Sequence, residues 1–324
     1  MKIAKLSYET DPPVAVEKET LGNKGAVDVV TFNGDARQLI QDLRPYDGIL
    51  TDYVPLTGEI IAALANCKVI SVEATGWTSV DGAAATEKGI YVCALGEYCT
   101  QEVADHTLAL LLALQRRLVL FNNNAQLKHK WDWQAAPDMD RMEGQTLGVL
   151  GFGRIGQAVA VRAKAFGLKV IAYDPFLPED VAASLGVPLL SLDEVLAKSD
   201  YISVHMAVDD SNKGFLDYAK FKKMERRPFV VNVARGLAVE ESDLVRALDE
   251  GLVRGAGLDV LSTESPDLTT HPLTGRDNVI LTPHVAFYSK MSLYLSYKIA
   301  MENIIYVLAG DFARVNRIVA GPGR

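Results

Sequence analysis

The chain has 324 residues, of which 49% are hydrophobic and 23% charged, and a formal net charge of −8. That length carries two domains and a sizeable core, and the acidic balance, with no basic run, excludes a nucleic-acid surface. Its three cysteines form no C-x-x-C pair and no metal spacing, which fits a reducing cytoplasm rather than a disulfide framework.

The first residues, Met1 to Leu6, run into Glu9 and Asp11, so no signal peptide is expected. Strands are predicted over Lys2–Ser7, Ala26–Thr31, Asp47–Thr51, Lys68–Val72 and Ile90–Cys93, with helices over Ala36–Leu43, Glu59–Ala65 and Ala83–Lys88 between them. Strands alternating with helices predict a parallel sheet with helices on its faces. Gln101 to Phe121 reads as one long apolar-periodic helix, a candidate for the crossover between domains. Its most apolar part, Leu108 to Leu114, is broken by Gln115-Arg116-Arg117 and is too short to span a bilayer. Lys128 to Arg141, with Trp131 and Trp133, reads as a polar surface arm. A second β/α set follows, with strands over Thr146–Leu150, Lys169–Tyr173, Tyr201–Met206, Phe229–Val233, Ala256–Leu261 and Val279–Thr282. Its helices are expected over Arg154–Phe166, Leu192–Lys198, Tyr218–Met224 and Glu241–Glu250. A last helix, Ser289 to Leu308, leaves about 15 residues, too few for a third domain. Its simplest packing is back on the first domain.

The second set opens with Gly151-Phe152-Gly153-Arg154-Ile155-Gly156, directly after a strand and at the start of a helix. Eighteen residues later comes Tyr173-Asp174-Pro175. This is the form of a dinucleotide-binding βαβ unit. Gly151 permits the tight turn, Gly153 lets the backbone approach a pyrophosphate, and Gly156 lets helix and strand pack closely. The exposed N–H groups at the helix start face an anion. The Asp174 carboxylate can accept both ribose hydroxyls of an adenosine and repels a 2′-phosphate, and no arginine follows it, so NAD is favoured over NADP.

In open α/β sheets, ligands bind outside the carboxyl ends of the strands. Three polar residues fall there: Arg235 after Val230–Ala234, Glu264 after Gly257–Leu261, and His284 after Ile280–Pro283. Singly, each also fits a solvated loop. Together, behind a dinucleotide motif, they suit hydride transfer to a 2-oxo acid. Arginine forks onto a carboxylate, histidine donates a proton to the carbonyl oxygen, and a glutamate beside it favours the imidazolium. His106 in the long helix, His129 in the arm and His271 in a turn fit less well; His205, at a strand end, is the reserve candidate.

Five stretches resemble the D-isomer-specific 2-hydroxyacid dehydrogenase family in the family's order: Glu102–Leu111, the glycine motif with Tyr173-Asp174-Pro175, Val231–Gly236, Gly257–Val260 and Thr282–Ala286. The resemblance implies catalytic roles for Arg235, Glu264 and His284. It implies cofactor contacts at Arg154, Ile155 and Asp174, with Val233, Ala234 and Asp259 around the nicotinamide. It puts the substrate-carboxylate loop at Ala74-Thr75-Gly76-Trp77. That loop departs from the family's G-x-G-x-D-N-[IV]-D pattern, and Trp77 is expected to narrow or cap the pocket. His205-Met206-Ala207 departs from H-x-P. Phe287 and Tyr288 either face the substrate side chain or pack between domains.

The expectation is therefore an α/β protein of two Rossmann-like domains: a discontinuous, flavodoxin-like substrate domain (1–100 plus 288–324) and an inserted NAD-binding domain (101–287), with a cleft between. The predicted activity is reversible hydride transfer between NADH and a small 2-oxo acid. Substrate would be bound by Ala74, Thr75, Gly76 and Arg235, with no metal, no membrane and no nucleic acid, in a cytoplasmic homodimer. The rival class is an NAD(H)-sensing, corepressor-like interaction protein of the same fold; an enzyme of this fold acting on formate or phosphite is a third reading.

Overall fold

Short apolar, β-branched runs build two parallel sheets. The computed structural model describes residues 1–137 and 139–323. In chain order the strands are β1 (Lys2–Ser7), β2 (Ala26–Thr31), β3 (Gly48–Thr51), β4 (Val69–Val72), β5 (Tyr91–Cys93) and β6 (Thr146–Leu150). They continue as β7 (Lys169–Tyr173), β8 (Tyr201–Val204), β9 (Phe229–Asn232), β10 (Gly255–Leu258), β11 (Val279–Leu281) and β12 (Ile318–Ala320). The helices are α1 (Ala15–Leu21), α2 (Ala36–Leu43), α3 (Gly58–Ala63), α4 (Gly82–Lys88), α5 (Thr100–Gln115) and α6 (Leu118–Gln126). After them come α7 (Arg154–Ala165), α8 (Glu179–Ser184), α9 (Leu192–Lys198), α10 (Tyr218–Phe221), α11 (Glu241–Asp249) and α12 (Lys290–Leu308). The chain divides into two units, Met1–Tyr98 with Ser289–Arg324, and Cys99–Tyr288.

In the first unit the sheet order is β12-β5-β4-β3-β1-β2. The five strands β1 to β5 are parallel, in the order 2-1-3-4-5 of flavodoxin-like sheets, and β12 pairs antiparallel with β5. Strands buried on both faces need unbroken apolar runs, and β4 is buried at every position. Helices start where sequence supplies caps: Asp35 accepts from the N–H groups of Arg37 and Gln38 to begin α2, and Ser289 forms a reciprocal box with Ser292 to begin α12. Helix α12 packs on α1 and β4.

In the second unit the order is β11-β10-β9-β8-β6-β7, all parallel. A one-residue parallel bridge, Ala172 to Leu189, extends the sheet beyond β7. Counting that bridge as the third strand reproduces the 3-2-1-4-5-6 order of dinucleotide folds, with β11 added at the far edge. The order reverses between β6 and β8, and the glycine turn leaves β6 at that point.

Three sequence expectations need correction. The long helix of 101–121 is two helices, because Arg117 takes a left-handed backbone (φ 50°) between α5 and α6. Its guanidinium then lies over the Phe229 ring, 5.5 Å from the centroid. Strand β10 stops at Leu258, three residues short of expectation, because Asp259 turns to brace a loop. Helices α1 and α8 and strand β12 had no sequence signal strong enough to predict them; β12 is three residues long and owes its conformation to pairing with β5.

Candidate active site

The glycine turn is built by what its residues lack. Gly151 has φ +88°, and a Cβ there would meet the backbone of Met206 at 2.6 Å. Gly156 lies under the turn, where a Cβ would sit 2.5 Å from the Gly151 carbonyl oxygen. At Gly153, the residue before α7, a Cβ would meet nothing within 4 Å, so this face of the turn is open. The Asp174 carboxylate is fixed beside it: Oδ2 accepts from the Phe152 N–H (2.8 Å) and Oδ1 from the Phe176 N–H (3.0 Å).

On the same sheet, β9, β10 and β11 deliver Arg235, Glu264 and His284. Arg235 is exposed, and its guanidinium donates to the Ala234 carbonyl at 2.7 Å. An Asn232 turn shapes this loop, accepting from the Ala234 N–H and donating to the Arg235 carbonyl. Gly236 lets the loop lie against the Leu261 carbonyl, which a Cβ would approach to 1.7 Å. Leu261 leads directly to Glu264, and Glu264 Oε2 lies 2.9 Å from His284 Nδ1. The His284 ring also meets the Phe287 ring edge-on, centroids 6.1 Å apart. Phe287 packs on the unit's core, while Tyr288 is exposed.

His284 itself has a left-handed backbone, φ 51°. A non-glycine residue stays there when its surroundings over-determine it, and here Asp259 does so. The Asp259 carbonyl accepts from the His284 N–H at 2.7 Å. Its carboxylate, 0% exposed, accepts from the N–H groups of Val285 and Ala286, both at 2.9 Å, and from the Thr282 hydroxyl at 2.6 Å. Val233 and Ala234, at the end of β9, lie next to this brace, since Asp259 N–H donates to the Asn232 carbonyl. The sequence placed Asp259 among the cofactor contacts; its carboxylate is turned inward and holds the His284 loop.

His205, the reserve proton donor, is unsuited to that role. The residue is half-buried, Nε2 lies 2.7 Å from the Ser203 hydroxyl, and desolvation of the ring pushes its pKa down to about 3. It is neutral at ordinary pH and backs the glycine turn through Met206.

In the first unit, the loop Ala74-Thr75-Gly76 leaves the carboxyl end of β4, with the Ala74 carbonyl accepting from the Leu95 N–H at 3.0 Å. Trp77 packs inward, on the space left by Gly82, where a Cβ would lie 2.8 Å from its ring. Just before the loop, Glu73 joins a buried cluster. Lys5 Nζ binds Glu73 and, at 2.9 Å, Glu17, and sits 4.5 Å over the Tyr297 ring. One oxygen of each glutamate is buried without a partner. Burial outweighs the Lys5 charge and pushes Glu73 up to about 7.

The family model for the D-isomer specific 2-hydroxyacid dehydrogenase NAD-binding domain matches residues 108–286. A glyoxylate reductase of Korarchaeum cryptofilum is 34% identical over 275 residues, 84% of this chain and 82% of that one. The chain belongs to the D-isomer-specific 2-hydroxyacid dehydrogenase family. A D-3-phosphoglycerate dehydrogenase of Methanocaldococcus jannaschii is also 34% identical across 94% of this chain, which spans just over half, 57%, of that protein's length. Among solved structures, a D-lactate dehydrogenase of Aquifex aeolicus complexed with NAD and lactic acid superposes with a TM-score of 0.86 at 28% identity, over 99% of this chain and all of that one.

As a member of that family the protein is an NAD-dependent oxidoreductase of hydroxy acids. The open face at Gly153, the α7 N-terminus and the fixed Asp174 carboxylate fit the dinucleotide in shape and charge. Among the described residues, no group of three or more His, Cys, Asp or Glu is placed to hold a metal ion. No described helix is long and apolar enough to cross a membrane. Sequence reasoning missed the dehydrogenase's Thr282 and the inward role of Asp259. The Thr-Pro-His order at a strand end was their available signal, since a hydroxyl two residues before a histidine is well placed to tie its loop down.

Proposed function

We propose that the protein reduces a small 2-oxo acid to the D-2-hydroxy acid, with His284 as proton donor, Arg235 binding and polarising the substrate, and Glu264 holding His284. The observation that supports this reading is the 2.9 Å contact of Glu264 with His284 Nδ1. A carboxylate there accepts a hydrogen bond from Nδ1–H and leaves the other ring nitrogen, Nε2, for the substrate oxygen. Arg235 presents a permanent cation to the substrate carboxylate, and Ala74, Thr75 and Gly76 are the proposed anion-binding amides of the first unit. Bound NADH supplies the hydride, positioned by Val233 and Ala234. The His284 proton completes the alcohol, and in the reverse direction His284 takes that proton back.

The composition supports a cytoplasmic setting, and we assign a homodimer as the assembly. Trp131 and Trp133, 97% and 80% exposed, are apolar surface that a second subunit would cover; light scattering tests this. The activity test follows NADH absorbance with glyoxylate, hydroxypyruvate, pyruvate and bulkier 2-oxo acids. Oxidation by the wild type, lost in His284→Ala and Arg235→Ala, is expected. Tight NADH binding without turnover of any acid would instead favour a sensor.

A further inference from the structure

Helix α5 carries a histidine that the proton-transfer scheme does not use. His106 Nε2 lies 3.0 Å from the Thr282 hydroxyl oxygen and 3.6 Å from Asp259 Oδ1. Thr282 has a single hydroxyl proton, and it is given to Asp259 Oδ1 at 2.6 Å. The hydroxyl oxygen can therefore only accept from His106, so Nε2 of His106 carries a proton and donates it. Beyond Thr282 the same carboxylate receives the N–H groups of Val285 and Ala286. A continuous line of hydrogen bonds thus runs from α5, through the ends of β11 and β10, to the two residues after His284.

The helix end of this line is stationary. Val103, Ala104, Thr107, Leu110, Leu111 and Leu114 bury the inner face of α5 in the unit's core, against β9, β10 and β11. The other end is a left-handed histidine that its surroundings must hold. We propose that His106 is a positioning residue for the proton donor: its Nε2–H orients the Thr282 hydroxyl, which fixes the Asp259 carboxylate and through it the His284 loop. On this reading it acts through Thr282 and Asp259 and not on the reacting groups. The proposal rests on the dehydrogenase reading of His284.

Isosteres separate donation from packing. Glutamine places its amide N–H₂ near the position of histidine Nε2, whereas asparagine places it near Nδ1 and leucine has no donor. In the full chain, His106→Leu and His106→Asn are expected to lower kcat by about tenfold, a typical loss when the support of a catalytic group loosens. KM for NADH is expected to stay within about twofold, and His106→Gln to restore kcat to within about threefold, by the same reasoning. Thr282→Val breaks the line at its middle, and adding His106→Leu to it should cost little more, because both act through one carboxylate. It also keeps the test decisive if His106→Leu folds poorly. Amide exchange at Val285 and Ala286 and the His284 ring C–H resonance are read in parallel. Faster exchange at both amides in His106→Leu, with wild-type exchange in His106→Gln, is the expected result. Equal exchange and equal kcat in the leucine, asparagine and glutamine variants would overturn the proposal. If the wild type oxidises NADH with no 2-oxo acid, the functional reading fails, and the exchange data still decide whether His106 holds the loop.

Discussion

Substituting Gly236 by alanine tests how closely the site's parts are fitted to one another. The Cβ would lie 1.7 Å from the Leu261 carbonyl oxygen and 2.0 Å from its carbon, and real Cβ contacts under 3.0 Å essentially never occur. Both partners are backbone, so no side chain can swing aside. The two loops must separate by at least 1.3 Å to reach that limit. One loop carries Arg235 and the other leads to Glu264. A misplacement of about 1 Å costs on the order of a hundredfold in rate, because reacting groups leave their near-attack geometry. Overpacking costs stability less, about 2 kcal/mol, or a fall in Tm of about 6 °C for a unit of this size. Gly236→Ala is therefore expected to bind NADH, melt cooperatively a few degrees early, and turn over an accepted 2-oxo acid about a hundred times more slowly. Calorimetry and NADH-absorbance kinetics on one preparation measure both. Wild-type kcat in a variant with the lowered Tm would refute the claim that the approach of these two loops sets the catalytic geometry.

Gly153→Ala makes the opposite case: the new Cβ meets no protein atom within 4 Å. Tm should stay within about 3 °C while NADH affinity, read by fluorescence, falls about tenfold, because the methyl occupies the approach of the pyrophosphate. Unchanged affinity would place the cofactor elsewhere. Glu264→Gln keeps a hydrogen-bonding side chain but removes the charge that favours imidazolium. kcat for reduction should fall by about tenfold or more as the His284 ring loses its fixed orientation, and an unchanged kcat would remove Glu264 from its assigned role. Glu73→Gln concerns stability. Burial raises the Glu73 carboxyl from 4.5 to about 7, so the folded protein binds the extra proton between those values, and stability falls as pH rises through that window. Lys5, Glu17, Asp52 and Tyr297 surround it; all four remain in the variant, where Lys5 and Tyr297 lose the influence of the Glu73 charge. Denaturant midpoints of the glutamine variant, compared with wild type, should gain between pH 5 and pH 8; parallel curves would show that Glu73 does not carry this proton.

The parts legible in the sequence were those whose physics is local. Gly151 and Gly156 are needed because the backbone itself comes too close for a side chain, and such a demand is written at one position and visible there. The Arg235, Glu264 and His284 loops were legible because strands end where apolar runs end, and three such polar residues fall together behind one dinucleotide motif. What was hidden depends on contacts between distant residues. Lys5 and Glu73 are 68 positions apart, and nothing near either announces a buried ion cluster. Asp259 reads as a strand-end acid facing a ligand. Its inward turn follows from three donors, Thr282, Val285 and Ala286, that arrive from the loop after another strand, β11. The break at Arg117 was similarly invisible to helical periodicity, because Phe229, which its guanidinium covers, lies on a strand more than a hundred residues later.

The chain assembles its first unit from both of its ends, and this orders events during synthesis. Strands β1 to β5 leave the ribosome first, but α12 and β12 come only after the whole of residues 99–288. Until then the faces of α1 and β4 that α12 covers, and the edge of β5 that β12 pairs with, stand open. At about 5–20 residues per second, that interval lasts on the order of ten seconds or more. The nucleotide unit, contiguous in sequence, completes itself first. The loop Ala74–Gly76, proposed above to bind the acid, springs from the unit that must wait, so on that reading a nascent chain acquires its cofactor fold before it has a finished place for an acid to bind.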